Sequence, residues 1–191
     1  MSDDFIIEQC APTLAGIKTG NLFSCAYSSR EELLSYVREL NRRLVPKGLC
    51  LLPMRYSEKR VLLYLYRPTQ LKRDLQNEYA AQMLRDAGYS CASCEQCVVR
   101  LIRRLRENAE FPHEIGLFLS YPPEDVKGFI EHKAGNLKYS GLWKVYGDEE
   151  KARSLFTKYK KCTEIYCQLA ETGASVEQLA VAVCLYKRII G

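Results

Sequence analysis

The chain has 191 residues, with 28 Lys and Arg against 23 Asp and Glu, and 47% of its residues are hydrophobic. This length and composition predict one globular domain spanning residues 1–191. The chain contains no run of about 20 apolar residues, which excludes a membrane-spanning helix. The acidic start MSDDFIIEQ is not typical of a signal peptide, so we expect a cytoplasmic protein.

The cysteine content and the charge exclude two further classes. Nine cysteines are many for a cytoplasmic protein, but the odd number argues against a closed disulfide framework, so we interpret them as reduced thiols. The formal net charge of +5 is too small to predict a nucleic-acid partner without a basic cluster.

The first half of the chain predicts two strand regions around a helix. Residues 13–19 read as a first strand that continues into Leu22 and Phe23. Overlapping capping boxes at residues 28–32 start a helix, and residues 46–48 end it. The apolar runs 49–55 and 61–67 predict a hairpin, in which Pro53 indicates an edge position or a bulge.

Helices dominate the next part. Pro68 opens a helical stretch to Ala87 with a break near Asn77, and Gly88 ends it. Ser93 and Gln96 form a further capping box, which starts a helix with one apolar stripe.

The stretch 113–148 reads as a strand, a crossover helix and a second strand. Asp148 then starts a helix of about 22 residues, Gly173 ends it, and Ser175 starts a last helix to about residue 190. The complete pattern predicts a mixed α/β fold, in which about six helices cover a mixed sheet of about five strands with one hairpin.

Three passages resemble one bacterial family, known as domain of unknown function 3793. They are PTLAGIKTGNLF (12–23), PHEIGLFLSYPPEDVKGFI (112–130) and WKVYGDEEKA (143–152), and the resemblance covers nearly the whole chain. It implies a cytoplasmic bacterial protein and brings no known activity, cofactor or catalytic residue. The resemblance implies that relatives often carry cysteines at the positions of residues 138–142, and the absence of cysteines from these positions here argues against a metal or redox role for that loop.

The best candidate ligand site lies at the ends of the two predicted strands in residues 113–148, beside the predicted first strand. Aromatic and charged residues are dense among glycines there, and such aromatic side chains can stack on planar ligands. The alternative is that these aromatics belong to the core. The predicted site residues are Thr13, Lys18, Glu114, Tyr121, Trp143, Lys144 and Tyr146.

The start of the predicted helix after Pro122 and Pro123 would ordinarily attract an anion. Glu124 and Asp125 already complement that helix dipole, so we do not predict a phosphate site there.

A thiol-dependent enzyme or a cysteine-ligated metal or redox protein is the alternative function. His113 and His132 are the only histidines, and Cys10 or Cys25 would have to approach His113 to form a nucleophilic pair. Cys91, Cys94 and Cys97 have two CxxC spacings, but a cluster needs a fourth thiolate that is not local. A loop that enters a helix explains the same three residues.

Other site motifs are missing. The sequence contains no P-loop, no GxGxxG, no HExxH and no GxSxG, so it identifies neither a cofactor nor a reaction. The arginines of residues 98–108 form a face that is typical of a solvated helix paired with glutamates. We therefore expect a small-molecule or protein partner rather than nucleic acid or a membrane.

Overall fold

A three-stranded antiparallel sheet lies at the centre of the computed structural model, which describes residues 2–89, 92–107, 110–133 and 135–182. Its strands are β1 (Gly20–Ala26), β2 (Cys50–Tyr56) and β3 (Arg60–Tyr66), in the order β1–β3–β2. The predicted hairpin is confirmed as β2–β3. The register shifts between Pro53 and Arg55 on the edge strand β2, so the bulge that the proline predicted is also confirmed.

One face of the sheet is covered by the helices from the two ends of the chain. These helices are α1 (Asp3–Leu14), α2 (Arg30–Leu44), α7 (Glu149–Glu171) and α8 (Val176–Leu179). Val61, Leu63 and Leu65 of β3 pack into this first core. Their alternation along the strand places every second side chain on the same face.

The opposite face is covered by the middle of the chain. This face of the sheet packs against α3 (Pro68–Leu75), α4 (Glu78–Asp86), α5 (Cys94–Glu107) and a 3-10 helix at His113–Leu119. Tyr64 and Tyr66 point to this side, and the Tyr64 hydroxyl donates a 2.5 Å hydrogen bond to the carbonyl of Phe118. This bond joins the 3-10 helix to the central strand.

Local capping signals set the helix starts as the sequence predicts. Ser29 accepts from the amide of Glu32 at 3.1 Å, and Asp148 accepts from the amide of Lys151 at 3.0 Å. Asn77 caps α4, which confirms the predicted break between α3 and α4. Ser175 caps α8 with a complete capping box. Helix α8 ends at Leu179 and Ala180 is extended, so the predicted last helix does not continue through residues 180–182. Residues 183–191 of that prediction lie outside the described part of the chain.

The predicted first strand at residues 13–19 is wrong. Helix α1 continues through Pro12 to Leu14, and the following turn returns the amides of Ile17 and Lys18 to the carbonyl of Pro12. The strand starts only at Gly20. Pro12 does not end this helix, although it lies within its last turn.

Of the predicted strand, crossover helix and strand in residues 113–148, the helix is confirmed, the first strand is wrong, and the second strand is found only as part of a short hairpin. Residues 113–119 form the 3-10 helix, α6 (Pro123–His132) follows, and β4 (Tyr139–Ser140) pairs antiparallel with β5 (Lys144–Val145). Among the described residues, the strands therefore form separate sheets of three and two strands, and the single five-stranded mixed sheet is not found. The fold is mixed α+β. No helix in the described part of the chain is long and apolar enough to cross a bilayer.

Candidate ligand-binding pocket

An apolar pocket of about 400 Å³ lies between residues 111–116, helix α6 and the β4–β5 hairpin. Tyr121, Phe129 and Trp143 contribute aromatic walls, and Lys144 reaches the pocket from β5. The structure therefore brings together three of the predicted site residues, Tyr121, Trp143 and Lys144. The volume is within the range of small-molecule sites.

Asp125 holds the hairpin against α6. Its side chain is buried, with one oxygen accepting from the indole N–H of Trp143 at 2.7 Å. The other oxygen accepts from the amides of Tyr146 at 2.8 Å and Gly147 at 2.7 Å. Asp125 therefore fixes the indole and two consecutive amides that follow β5, and these bonds hold the pocket wall against α6.

The indole of Trp143 forms a wall of the pocket, and little of the indole is exposed to solvent. It is only 7% exposed, stacks on Tyr121 with centroids 4.7 Å apart, and meets the edge of Phe156 at 4.4 Å. Trp143 is therefore both a core residue and a pocket residue, because its packed ring also lines the cavity.

The pocket base requires a glycine. A Cβ atom at Gly116 would lie 2.7 Å from Cγ2 of Val126 and 3.0 Å from Cδ2 of Tyr121. A larger residue would push helix α6 away from the 3-10 helix. The close approach of these two elements therefore depends on Gly116.

The mouth of the pocket is apolar with two polar groups. Leu142 is 56% exposed and Phe111 is 38% exposed, although both are large hydrophobic residues. His113 meets the ring of Phe129 edge-on at 4.9 Å, and the Lys144 ammonium lies 5.2 Å from the centroid of the same ring. The mouth thus presents apolar surface beside a cation.

A second cleft of about 650 Å³ adjoins the pocket and shares Phe111, Pro112 and His113 with it. Glu114, a predicted ligand residue, lies in this cleft rather than in the pocket. It is buried, forms a 2.7 Å ion pair with Arg104 and accepts from the Tyr89 hydroxyl at 2.9 Å. These contacts give Glu114 a role in joining α5 to the 3-10 helix.

The other predicted ligand residues lie outside the pocket. Thr13 is buried at the end of α1, where its carbonyl accepts from the Arg67 guanidinium at 2.7 Å. The ring of Tyr146 turns away, and its hydroxyl donates to the carbonyl of Lys133. Lys18 lies behind the pocket wall, with its ammonium 5.7 Å from the ring centroid of Tyr121.

Lys18 occupies an unfavourable place for a charge. Its ammonium donates to the side-chain oxygen of Asn21 at 2.8 Å and lies 5.9 Å from the ring centroid of Tyr159. Burial lowers the pKa of Lys18 from 10.5 to about 8, and the nearby Cys10 opposes that shift. The residue therefore stabilises the fold less than an exposed lysine would.

The candidate thiols and His113 lie in different parts of the fold. Cys10 and Cys25 pack in the first core between the helices and the sheet, whereas His113 contacts Phe129 at the pocket. Burial raises the pKa of both thiols, which favours the protonated form over the reactive thiolate. The structure does not bring these three residues together.

The cysteine run lies only partly within the described residues. Cys94 is partly buried at the start of α5 and Cys97 is buried, but Cys91 falls outside the described part. No group of three metal-ligating side chains occurs among the residues that are described. The three-cysteine site therefore stays a prediction.

A polar cleft of about 560 Å³ on the other side of Tyr121 was not predicted. Asp74 accepts from the Thr19 hydroxyl at 2.5 Å, and the Thr19 amide donates to the Ser120 hydroxyl oxygen at 2.7 Å. Burial raises the pKa of Asp74, and hydrogen bonds from Thr19 and Ser120 oppose that shift. Ser120 has a left-handed backbone with a φ of 61°. No sequence signal joins these residues, because 55 and 101 positions separate the bonded pairs.

Two of the arginines on α5 are used within the protein. Arg104 donates to the carbonyl of Ala87 at 2.9 Å, and Arg106 donates to the carbonyl of Met54 at 3.1 Å. Arg100 and Arg103 are exposed. This face supports packing of α5 more than it supports phosphate contacts.

The comparisons with known proteins identify a family and no activity. The family described as "Protein of unknown function (DUF3793)" matches residues 6–180, which is most of the chain. The comparisons with curated proteins and with solved structures gave no match.

Proposed function

This chain belongs to the DUF3793 family of proteins of unknown function, and we propose that it is a ligand-binding module. The apolar pocket beside Trp143 takes the flat, apolar part of a small molecule. We place the protein in the bacterial cytoplasm, as the sequence predicts. We expect a small-molecule or protein partner rather than nucleic acid or a membrane.

The single observation that carries this proposal is a preformed apolar cavity with an apolar mouth. The cavity is held open by the hydrogen bonds of Asp125 and by the close packing at Gly116. Leu142 and Phe111 expose apolar surface at its entrance, and apolar surface beside a cavity is a common mark of a binding site. A bound ligand would cover that surface.

The polar cleft beside Tyr121 is a weaker candidate for the ligand site than the apolar pocket. Its charges balance, since Arg73 and Lys151 line it together with Asp74 and Glu124. It offers many hydrogen-bonding groups but little apolar area for affinity.

The alternative function, a thiol-dependent enzyme or a cysteine-ligated metal or redox protein, has less support. The raised pKa values of the Cys10 and Cys25 thiols work against a nucleophile. Metal analysis of protein purified without oxygen tests the remaining cysteine-run hypothesis. A stoichiometric metal or cluster would favour the alternative.

The proposal is tested with N-phenyl-1-naphthylamine, an uncharged fluorescent probe. Trp143 is the only tryptophan, so a probe bound in the pocket should quench its emission by energy transfer. Leu142→Glu should weaken binding about tenfold or more, because burying a leucine contributes about 1.5–3 kcal/mol. Leu169→Glu is the matched control, since Leu169 is also exposed but lies on α7.

Two results would count against the proposal. One is that the wild-type protein binds no probe. The other is that Leu142→Glu and Leu169→Glu both bind it as tightly as the wild type. Circular dichroism of the two variants excludes a difference in folding.

A further inference from the structure

Lys144 is the charged group that the apolar pocket leaves without an ionic partner. Its side chain is partly buried, and its ammonium lies over the ring of Phe129. Among the described residues, no ion pair involves Lys144. At an apolar mouth, the attraction between this ammonium and an anion is less screened than it would be in bulk water.

The one carboxylate among the described residues that line the pocket is already engaged. Asp125 also lines the pocket, but its two oxygens accept three hydrogen bonds from the indole and two amides. Its charge is therefore compensated by its own donors rather than by Lys144. The carboxylate still disfavours a second negative charge at the base of the pocket, so an anion belongs at the mouth.

The other end of the mouth is unsuited to an anion. Beyond His113 the adjoining cleft contains Asp86 and Glu110 as well as two ion pairs. Its cations are engaged within these pairs, Arg104 with Glu114 at 2.7 Å and Lys127 with Glu131 at 3.8 Å. The negative charge there directs an anionic group away from His113 and toward Lys144.

From these charges we propose that the ligand is an amphiphilic oxyanion. Its apolar body occupies the pocket, and its carboxylate, or a chemically similar monoanionic group, is bound by the ammonium of Lys144 at the mouth. This inference rests on the proposed function, because it names the class of ligand for the same pocket.

Three probes that share the same naphthalene ring system but differ in charge separate the contributions of charge and shape. They are 2-naphthoate, the uncharged 2-naphthamide and the cationic 2-naphthylmethylamine, each titrated at pH 7 while Trp143 emission is recorded. The wild-type protein should bind 2-naphthoate about tenfold or more tighter than 2-naphthamide, the factor of a hydrogen bond to a charged group. It should bind the amine most weakly.

The matched variants are Lys144→Met and Lys127→Met. Methionine keeps the apolar stem of the lysine and removes its charge. Lys144→Met should bind 2-naphthoate and 2-naphthamide equally, whereas Lys127→Met should keep the preference for 2-naphthoate.

The outcomes separate the inference from the proposed function. Equal binding of 2-naphthoate and 2-naphthamide by the wild type, a preference for the amine, or a preference for 2-naphthoate that survives Lys144→Met would overturn the inference, and 2-naphthamide binding would still support the pocket. If none of the three probes binds, the inference is wrong, and the titration with N-phenyl-1-naphthylamine decides separately whether the pocket binds a ligand.

Discussion

Replacing Asp125 by alanine should destabilise the β4–β5 hairpin and the pocket wall together. The change removes the acceptor for the buried indole N–H of Trp143 and for the amides of Tyr146 and Gly147. Each of these bonds is 2.8 Å or shorter, and each joins elements that are 18 to 22 residues apart. The hairpin would keep its short strand pairing, its apolar contacts, and the hydrogen bonds of Tyr146 to the Lys133 carbonyl and of Lys138 to the Gly147 carbonyl.

The expected loss in the free energy of unfolding follows from the hydrogen-bond donors that Asp125→Ala leaves unpaired. A buried donor without an acceptor costs about 1–3 kcal/mol, and the indole N–H is fully enclosed while the two amides can partly reach water. We therefore expect Asp125→Ala to lower the free energy of unfolding by about 3–5 kcal/mol, a large part of a usual total of about 5–15 kcal/mol. Asp125→Asn should cost less, because its remaining oxygen can still accept from the two amides.

Urea unfolding followed by far-ultraviolet circular dichroism measures this loss, and Trp143 emission reports the wall itself. Glu124→Ala is the control, because Glu124 is the neighbouring carboxylate on α6 but is exposed. It should change stability by about 0.5 kcal/mol or less. If Asp125→Ala costs no more than Glu124→Ala, or leaves the emission maximum of Trp143 unshifted, Asp125 does not hold the wall.

Two further predictions concern buried cations. Lys18→Met should stabilise the protein by about 1–2 kcal/mol at pH 7, after allowance for the remaining exposure of Lys18. Because the pKa is lowered from 10.5 to about 8, the penalty of the charged lysine is full below pH 8 and disappears as the pH rises toward 10.5. Urea unfolding at pH 7 and pH 9.5 should therefore show a smaller gain at pH 9.5, and an equal gain would contradict the assignment. Arg67→Met should destabilise by about 2 kcal/mol or more, because the carbonyls of Thr13, Leu14 and Val181 lose their donor. The same denaturation experiment measures it, and an unchanged midpoint would refute it.

Helix starts were predictable because their signals are local. Ser29, Asp148 and Ser175 each bond to an amide three residues ahead, so the residue types and their spacing are sufficient. The hairpin β2–β3 was predictable for the same reason, since two apolar runs are joined by a short polar turn.

Residues 113–119 were misread because an apolar run without periodicity does not distinguish a strand from a buried helical segment. Residues 114–119 are all buried between the sheet and α6, so no polar face marks the helical period. The error at residues 13–19 arose because a short run with several apolar residues was assigned to a strand, whereas Thr13 and Leu14 form the last turn of α1, a helix that the sequence did not predict.

The candidate site was predictable only in part. Aromatic density and a lysine indicated Tyr121, Trp143 and Lys144, which the structure gathers in one pocket. Asp125 was read as a complement to the helix dipole, whereas it is buried and bonded to a hairpin about 20 residues away. The sequence cannot show such a bond, because tertiary packing alone decides which way a helical carboxylate points.

The most direct test of the pocket is the mapping of amide chemical shifts during titration with N-phenyl-1-naphthylamine. We predict that the largest changes occur at Gly116, Phe129 and Leu142, which surround the apolar pocket. Changes that instead concentrate at Asp74 and Ser120 in the polar cleft, or no changes at saturating probe, would contradict the account.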